Sequence, residues 1–133
     1  MSHGEFVHTE QVRFRDLDPM GHVNNAVFLT YIEQARVDFF ARAGAASRLE
    51  DMNMILARVE IDFKAPVRLW QEVEISVRAS RFGTKSFDLD YELRVDEELV
   101  AEAKSVQVAY DYDRHEPVAL PPDWREKLTA IPA

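Results

Sequence analysis

The segment from Asn25 to Ala43 is the feature of this sequence that most constrains its fold. Asn24 can cap a helix that starts there, because its side-chain oxygen can accept a hydrogen bond from an unpaired first-turn amide, and Gly44 suits the left-handed position after a helix end. Between these signals apolar side chains recur every three or four residues, at Phe28, Ile32, Ala35, Phe39 and Ala43. The pattern predicts an α-helix over 25–43, with an apolar arc wide enough that other parts of the fold should cover much of it.

Three segments after this helix alternate between apolar and polar side chains, which predicts strands with one buried face. They span residues 55–63, 73–79 and 87–95. A fourth segment, 99–110, alternates strictly only near its end, and its small alanines predict close packing. Residues 6–14 alternate weakly and predict an exposed or edge strand.

The connections indicate how these elements assemble. Residues 81–85 and 96–98 fit hairpins, which favours an antiparallel meander, and Pro121 to Asp123 should open a short C-terminal helix ending near Thr129. The predicted fold class is α+β, with one long helix wrapped by a curled five-stranded antiparallel sheet and a short C-terminal helix. Such a sheet leaves unpaired edges, so we expect a homodimer or a dimer of dimers.

Length and composition limit the cellular context. A chain of 133 residues fits a single domain, expected to span 1–133, and 47% hydrophobic residues exclude intrinsic disorder. No apolar stretch approaches the roughly 18 residues of a membrane span, and the first residues lack the basic flank and apolar core of a signal peptide. The sequence predicts a cytoplasmic protein without a membrane partner.

Charge and residue usage exclude several kinds of chemistry. The net charge of −8 disfavours nucleic acid, and the absence of cysteine excludes thiolate nucleophiles, disulfides and cysteine-based metal sites. His3, His8 and His115 lack metal-ligand spacing, so no metal is expected. The sequence also lacks Gly-x-Ser-x-Gly, and glycine is too scarce for a P-loop or a dinucleotide site.

A resemblance to a known family begins at Val12. The stretch VRFRDLDPMGHVNNAVF, with Glu33 and Arg36 after it, resembles the hot-dog acyl-CoA thioesterases, and the order of elements extends the likeness over most of the chain. Its Asp-Leu-Asp start and His-Val-Asn-Asn finish are similar to plant acyl-carrier-protein thioesterases, whereas Asp18-Pro19 and Gly21 look like the 4-hydroxybenzoyl-CoA thioesterase pattern. The resemblance implies a hot-dog fold and hydrolysis of acyl-CoA to free acid and coenzyme A, with no cofactor beyond the substrate's own coenzyme A.

The resemblance also implies two catalytic groups. Asp18 would be the catalytic carboxylate, either as nucleophile on the thioester carbonyl or as the base that activates water, although Asp before Pro is also a common turn opener. The backbone amide of Asn25 would polarise the thioester oxygen. Helix geometry supports this role, because a helix N-terminus offers unpaired amides and partial positive charge, which stabilise a developing oxyanion. Met20 stands where the plant enzymes have Asn, so His22 has two interpretations, a catalytic one and a role in shaping the loop.

Candidate substrate contacts compete with simpler explanations. Asn24 is explained by capping alone, and Glu33 either forms a surface ion pair with Arg36 or lines the cleft. Coenzyme A phosphates require local cations, and the candidates are Arg58, Lys64, Arg68, Arg81 and Lys85, each of which is otherwise a solvated surface charge. Ser86 resembles the family position whose hydroxyl helps to hold the substrate near the interface.

Two alternatives to a thioesterase remain open. One is a non-catalytic module that binds acyl-CoA or an acyl carrier without turnover. The other is a hot-dog dehydratase or hydratase, in which His22 and a carboxylate would move protons on the acyl chain. Asp18, placed before the helix, favours the thioesterase.

Overall fold

The computed structural model describes residues 6–45 and 53–130, so His3 lies outside the described residues. The helices and strands are, in chain order, β1 (Phe6–Gln11), α1 (Asn25–Ala43), β2 (Met54–Phe63), β3 (Glu72–Phe82), β4 (Ser86–Val95), β5 (Glu98–Asp111), β6 (Glu116–Pro117) and α2 (Trp124–Thr129). A 3₁₀ turn at Phe14–Asp16 lies between β1 and α1. No helix within the described ranges is long and apolar enough to cross a membrane.

All strand pairs are antiparallel, and the sheet order is β1-β3-β4-β5-β2, with the two-residue β6 added beside β5. Strands β3, β4 and β5 form the predicted meander. Strand β2 lies outside this meander, because it pairs with β5 at one edge of the sheet. The connection from β2 to β3 therefore crosses the sheet towards the other edge. Strands β1 and β2 are therefore the two edges of the long-stranded sheet.

The core lies between α1 and one face of the sheet. The predicted alternation is confirmed on β3 and β4, where every second side chain is buried. The helix buries one face against it, formed by Phe28, Tyr31, Ile32, Ala35, Phe39 and Phe40. Burial of each large apolar side chain contributes about 1.5–3 kcal/mol, so this interface supplies much of the stability of the fold.

The signals at the helix ends are confirmed. Asn24 Oδ1 accepts a hydrogen bond from the Ala26 amide at 2.8 Å, and Gly44 adopts a left-handed φ of 74°. The C-terminal helix α2 follows Asp123, as predicted, and Trp124 packs against Phe40 and Phe87.

Strand β2 differs from the prediction of one buried face. Leu56 is 46% exposed and Phe63 is 45% exposed, because β2 is an edge strand and α1 packs mainly over β1 and β3. Leu29 on the helix is also exposed, so the cover expected around α1 is incomplete. Exposed apolar side chains therefore lie on both α1 and β2.

Candidate active site

The loop that precedes α1 folds back on itself at Asp18. Leu17 and Val23 form an antiparallel bridge, and the Asp18 amide donates to the His22 carbonyl at 2.8 Å. At the tip, the Gly21 amide donates to the Asp18 carbonyl, and Gly21 has a φ of 80°, a conformation that favours glycine. These contacts fix Asp18 at the base of a tight turn.

The two oxygens of the Asp18 carboxylate have different surroundings. Oδ1 accepts hydrogen bonds from the backbone amides of Met20 at 2.9 Å and His22 at 3.2 Å. Oδ2 accepts no hydrogen bond within the described residues, and the side chain is only partly buried. The turn-forming role and a chemical role are therefore compatible, because each can use a different oxygen.

The start of α1 provides a free donor beside this loop. Asn24 caps the helix through its side chain, and its carbonyl accepts from the Val27 amide at 2.9 Å. The amide of Asn25 finds no acceptor in the described part of the chain, and Asn25 is exposed. A helix N-terminus carries partial positive charge, so this amide can stabilise negative charge that develops on an oxygen.

Sequence reasoning missed Asp16, whose hydrogen bonds support the Asp18 loop. It is buried, and Oδ2 accepts from the Tyr31 hydroxyl at 2.6 Å and from the Arg13 amide at 2.9 Å. Burial acts to raise the pKa of Asp16, but these hydrogen bonds outweigh it and lower the pKa below its usual value. Because the Asn24 amide also donates to the Asp16 carbonyl, Asp16 ties the Asp18 loop to α1.

His22 contributes to the loop through its backbone. Its amide and carbonyl both bond to Asp18, and it forms a bridge with Arg68 in the neighbouring segment. The imidazole makes no hydrogen bond within residues 6–45 and 53–130, which favours the loop-shaping interpretation. Arg68 is thereby brought next to the Asp18 loop.

The other predicted phosphate contacts lie elsewhere. Arg58 on β2 pairs with Glu60 at 3.1 Å, and Lys64, directly after β2, pairs with Glu102 at 3.3 Å, so both cations already have acidic partners. Lys85 is exposed in the β3–β4 hairpin.

Ser86 lies at the opposite end of the sheet from the Asp18 loop. Its hydroxyl accepts from Arg81, which also pairs with Asp88. Strand β4 begins at Ser86, and the loop lies near its other end, about 30 Å away at about 3.3 Å per residue. A single chain does not bring Lys85 and Ser86 to Asp18.

Glu33 and Arg36 line a cavity of about 390 Å³ between α1 and β2. The predicted surface ion pair between them is absent from the described residues, because the Arg36 guanidinium instead donates to the hydroxyl of Tyr91 at 3.2 Å. Glu33 is exposed and lines this cavity, and its role as a substrate contact stays a prediction.

Comparisons with known proteins agree with this architecture. Residues 12–128 match the model of the thioesterase-like superfamily. The chain is similar to long-chain acyl-CoA thioesterase FadM of Escherichia coli (strain K12), with 28% identity over 122 residues, covering 89% of this chain and 92% of FadM. It is 29% identical to the uncharacterized protein YsmA of Bacillus subtilis (strain 168) over 86 residues, which cover 65% of this chain and 58% of YsmA.

A solved structure extends the likeness to three dimensions. A thioesterase from Thermus thermophilus, crystallised with coenzyme A and Zn, superimposes with a TM-score of 0.83 and 38% identity, covering 92% of this chain and 90% of that one. The α+β fold class predicted from the sequence is confirmed.

Proposed function

Because this chain belongs to the thioesterase-like superfamily, we propose that it hydrolyses acyl-CoA thioesters to the free acid and coenzyme A. The observation that carries this proposal is that one group in the loop before α1 and one group at the first residue of α1 are both unused. Asp18 Oδ2 accepts no hydrogen bond, and the Asn25 amide donates none, within the described residues. The Asp18 carboxylate can attack the thioester carbon or activate water for that attack. The Asn25 amide can hold the oxygen on which negative charge develops.

Two routes use this pair of groups. In the first, the Asp18 carboxylate attacks the thioester carbon and the C–S bond breaks. Coenzyme A then leaves as a thiolate that takes a proton from solvent, and water hydrolyses the mixed anhydride to the free acid and regenerates Asp18. In the second, Asp18 takes a proton from the water that attacks the same carbon, the C–S bond breaks, and the leaving thiolate takes that proton. Both routes place the carbonyl oxygen on the Asn25 amide, and neither requires a metal or a further cofactor.

The test of the proposal is release of free thiol from a panel of short, long and aromatic acyl-CoA substrates. We expect Asp18→Asn to lower kcat by about 10²–10⁴, the usual range for loss of a general base. Asp113→Asn, which changes an exposed carboxylate in the turn after β5, is the matched control. Full turnover by Asp18→Asn would remove Asp18 from the mechanism, and binding without turnover by the wild type would favour the acyl-CoA binding module.

We further propose that the active form is a homodimer joined along β2. The free edge of β2 presents unpaired backbone groups, and the side chains of Ile55, Leu56 and Phe63 are exposed beside it. Antiparallel pairing of two β2 strands about a two-fold axis would place the β3–β4 hairpin end of one copy near the Asp18 end of the other. Lys85 and Ser86 would then reach coenzyme A from the second copy.

Light scattering in solution tests the dimer. The expected mass is about twice 15.4 kDa. Ile55→Lys should raise the dimer Kd about tenfold, equivalent to about 1.4 kcal/mol, because a charge on a strand edge opposes pairing. Gln11→Lys introduces the same charge on the other edge strand and should leave the mass unchanged. A monomeric wild type would contradict the proposal.

A further inference from the structure

A buried chain of polar side chains runs from α1 into the sheet. Arg36 donates to the Tyr91 hydroxyl at 3.2 Å, and that hydroxyl lies 2.6 Å from the hydroxyl of Ser105. Ser105 donates to Gln107 Oε1, and Gln107 Nε2 donates to the Phe87 carbonyl at 3.2 Å. Tyr91 and Gln107 are each 1% exposed, so the chain lies in the core.

The two end groups, the Arg36 guanidinium and the Phe87 carbonyl, fix the direction of every hydrogen bond in this series of polar side chains. Arginine can only donate and a backbone carbonyl can only accept, so each hydroxyl between them donates toward Gln107. Burial raises the pKa of Tyr91, so its hydroxyl keeps the proton that it donates to Ser105. The Gln107 amide cannot be reversed, because Oε1 would then face the Phe87 carbonyl.

Gln107 retains one unused donor. Its Nε2 carries two N–H groups, of which one is directed to Phe87, and the second has no acceptor among residues 6–45 and 53–130. Gln107 also forms part of the wall of the cavity between α1 and β2, whose apolar lining includes Val37, Met54 and Leu56. The apolar part of the wall can hold an apolar chain, and the rest of the lining, Thr30, Glu33, Gln34 and Arg36, is polar. Because the hydrogen bonds of Gln107 fix the direction of its amide, its second N–H suits an acceptor oxygen carried by such a chain.

The helix that forms this cavity also carries the proposed oxyanion donor. Along α1, Thr30 at the near end of the cavity lies about 7.5 Å from Asn25, and Val37 lies about 18 Å away, at about 1.5 Å per residue. An acyl chain that starts at the Asn25 amide and follows α1 would enter the cavity and cross it only if the chain is of medium or long length.

Resting on the proposed function, we propose that this cavity binds the distal part of a medium or long acyl chain, and that Gln107 selects acyl groups with a hydroxyl or keto oxygen there over plain alkyl chains. A plain chain would leave the second N–H of Gln107 buried without an acceptor, which costs binding free energy.

Calorimetry on the Asp18→Asn variant tests this selection without turnover. The ligands are lauroyl-CoA and a series of hydroxylauroyl-CoA isomers, with the hydroxyl placed at successive positions from the middle of the chain to its end. At least one isomer should bind about fivefold more tightly than lauroyl-CoA, the gain expected for one buried hydrogen bond. If every isomer binds no more tightly than lauroyl-CoA, or if nothing binds, the proposal is overturned.

A substitution then identifies the residue responsible. Gln107→Leu, made in the same background, should bring the affinity ratio between the best isomer and lauroyl-CoA to about one, because leucine has no donor. Gln11→Leu makes the same change on exposed β1 and should keep the ratio. A ratio retained in Gln107→Leu would exclude Gln107, and the ligand comparison within Asp18→Asn decides the selection even if Gln107→Leu does not fold.

Thiol release by the wild type, measured in parallel, separates this inference from the function on which it rests. Selective binding without thiol release from any acyl-CoA would overturn the hydrolase and leave the selection by Gln107 in place. Thiol release without selective binding would overturn the selection and leave the hydrolase in place.

Discussion

Asp16 and Asp18 are separated by one residue in the same loop, but the structure uses them in opposite ways. Asp16 is 3% exposed, and both of its oxygens accept hydrogen bonds from Arg13 or Tyr31. Asp18 is partly exposed, and only Oδ1 is engaged, by amides of its own loop. One carboxylate is fully satisfied by its surroundings, whereas the other keeps an oxygen available.

The difference in hydrogen-bond partners shows that the two carboxylates of this loop have different roles. Tyr31 comes from α1, so its bond to Asp16 holds the loop against the helix whose first amide is the proposed oxyanion donor. The bonds to Asp18 are local and set only the orientation of its carboxylate. Asp16 is therefore a positioning residue, and Asp18 is the candidate for chemistry.

The largest expected effect on stability is that of Asp16→Asn, and its comparison with Asp18→Asn tests whether the two carboxylates differ. Asp16→Asn should lower the free energy of unfolding by about 3 kcal/mol, because it weakens buried hydrogen bonds that now involve a charged acceptor. Asp18→Asn should cost less than about 1 kcal/mol, since the asparagine oxygen can still accept from the loop amides. Urea unfolding of both variants measures the contrast, and equal losses would show that the two sites do not differ as described.

The pH dependence of stability sharpens the same comparison. Burial opposes ionisation of Asp16, but the bonds from Tyr31 and Arg13 lower its folded pKa below the ordinary 3.8. A carboxyl with a lowered folded pKa stabilises the protein above the unfolded pKa and loses that contribution as pH falls through the folded pKa.

The wild type should therefore lose stability on acidification below about pH 4 more steeply than Asp16→Asn does. Urea unfolding at about pH 7 and about pH 3 compares the two proteins, with Asp113→Asn as an exposed control. Parallel losses in wild type and Asp16→Asn would show that Asp16 does not titrate in this way.

The sequence predicted the parts of this fold that depend on local spacing. The bounds of α1, its cap at Asn24 and the left-handed Gly44 follow from residues within a few positions of one another. The hairpins and the buried faces of β3 and β4 are local in the same sense, because alternation along one strand suffices to predict them.

What depends on contacts between distant segments could not be predicted. The exposure of β2 follows from its place at the sheet edge, which alternation does not encode. The bond between Asp16 and Tyr31 joins residues fifteen positions apart, so local spacing does not predict it. The three-residue spacing of Arg13 and Asp16 is the only local signal that Asp16 has a partner. The separation of Ser86 from Asp18 likewise required the strand order.

The smallest expected effect concerns Asn24, whose amide donates to the Asp16 carbonyl and whose side chain caps α1. Asn24→Ala removes the acceptor for the Ala26 amide and should cost about 1 kcal/mol of unfolding free energy. Asn24→Ser keeps a capping oxygen, adds no charge beside the proposed oxyanion donor and should recover that loss, so the pair of variants isolates the cap. Urea unfolding measures both, together with thiol release. If Asn24→Ser restores stability but not turnover, the Asn24 side chain does more than cap α1, and the division between Asp16 and Asp18 would have to include a third residue.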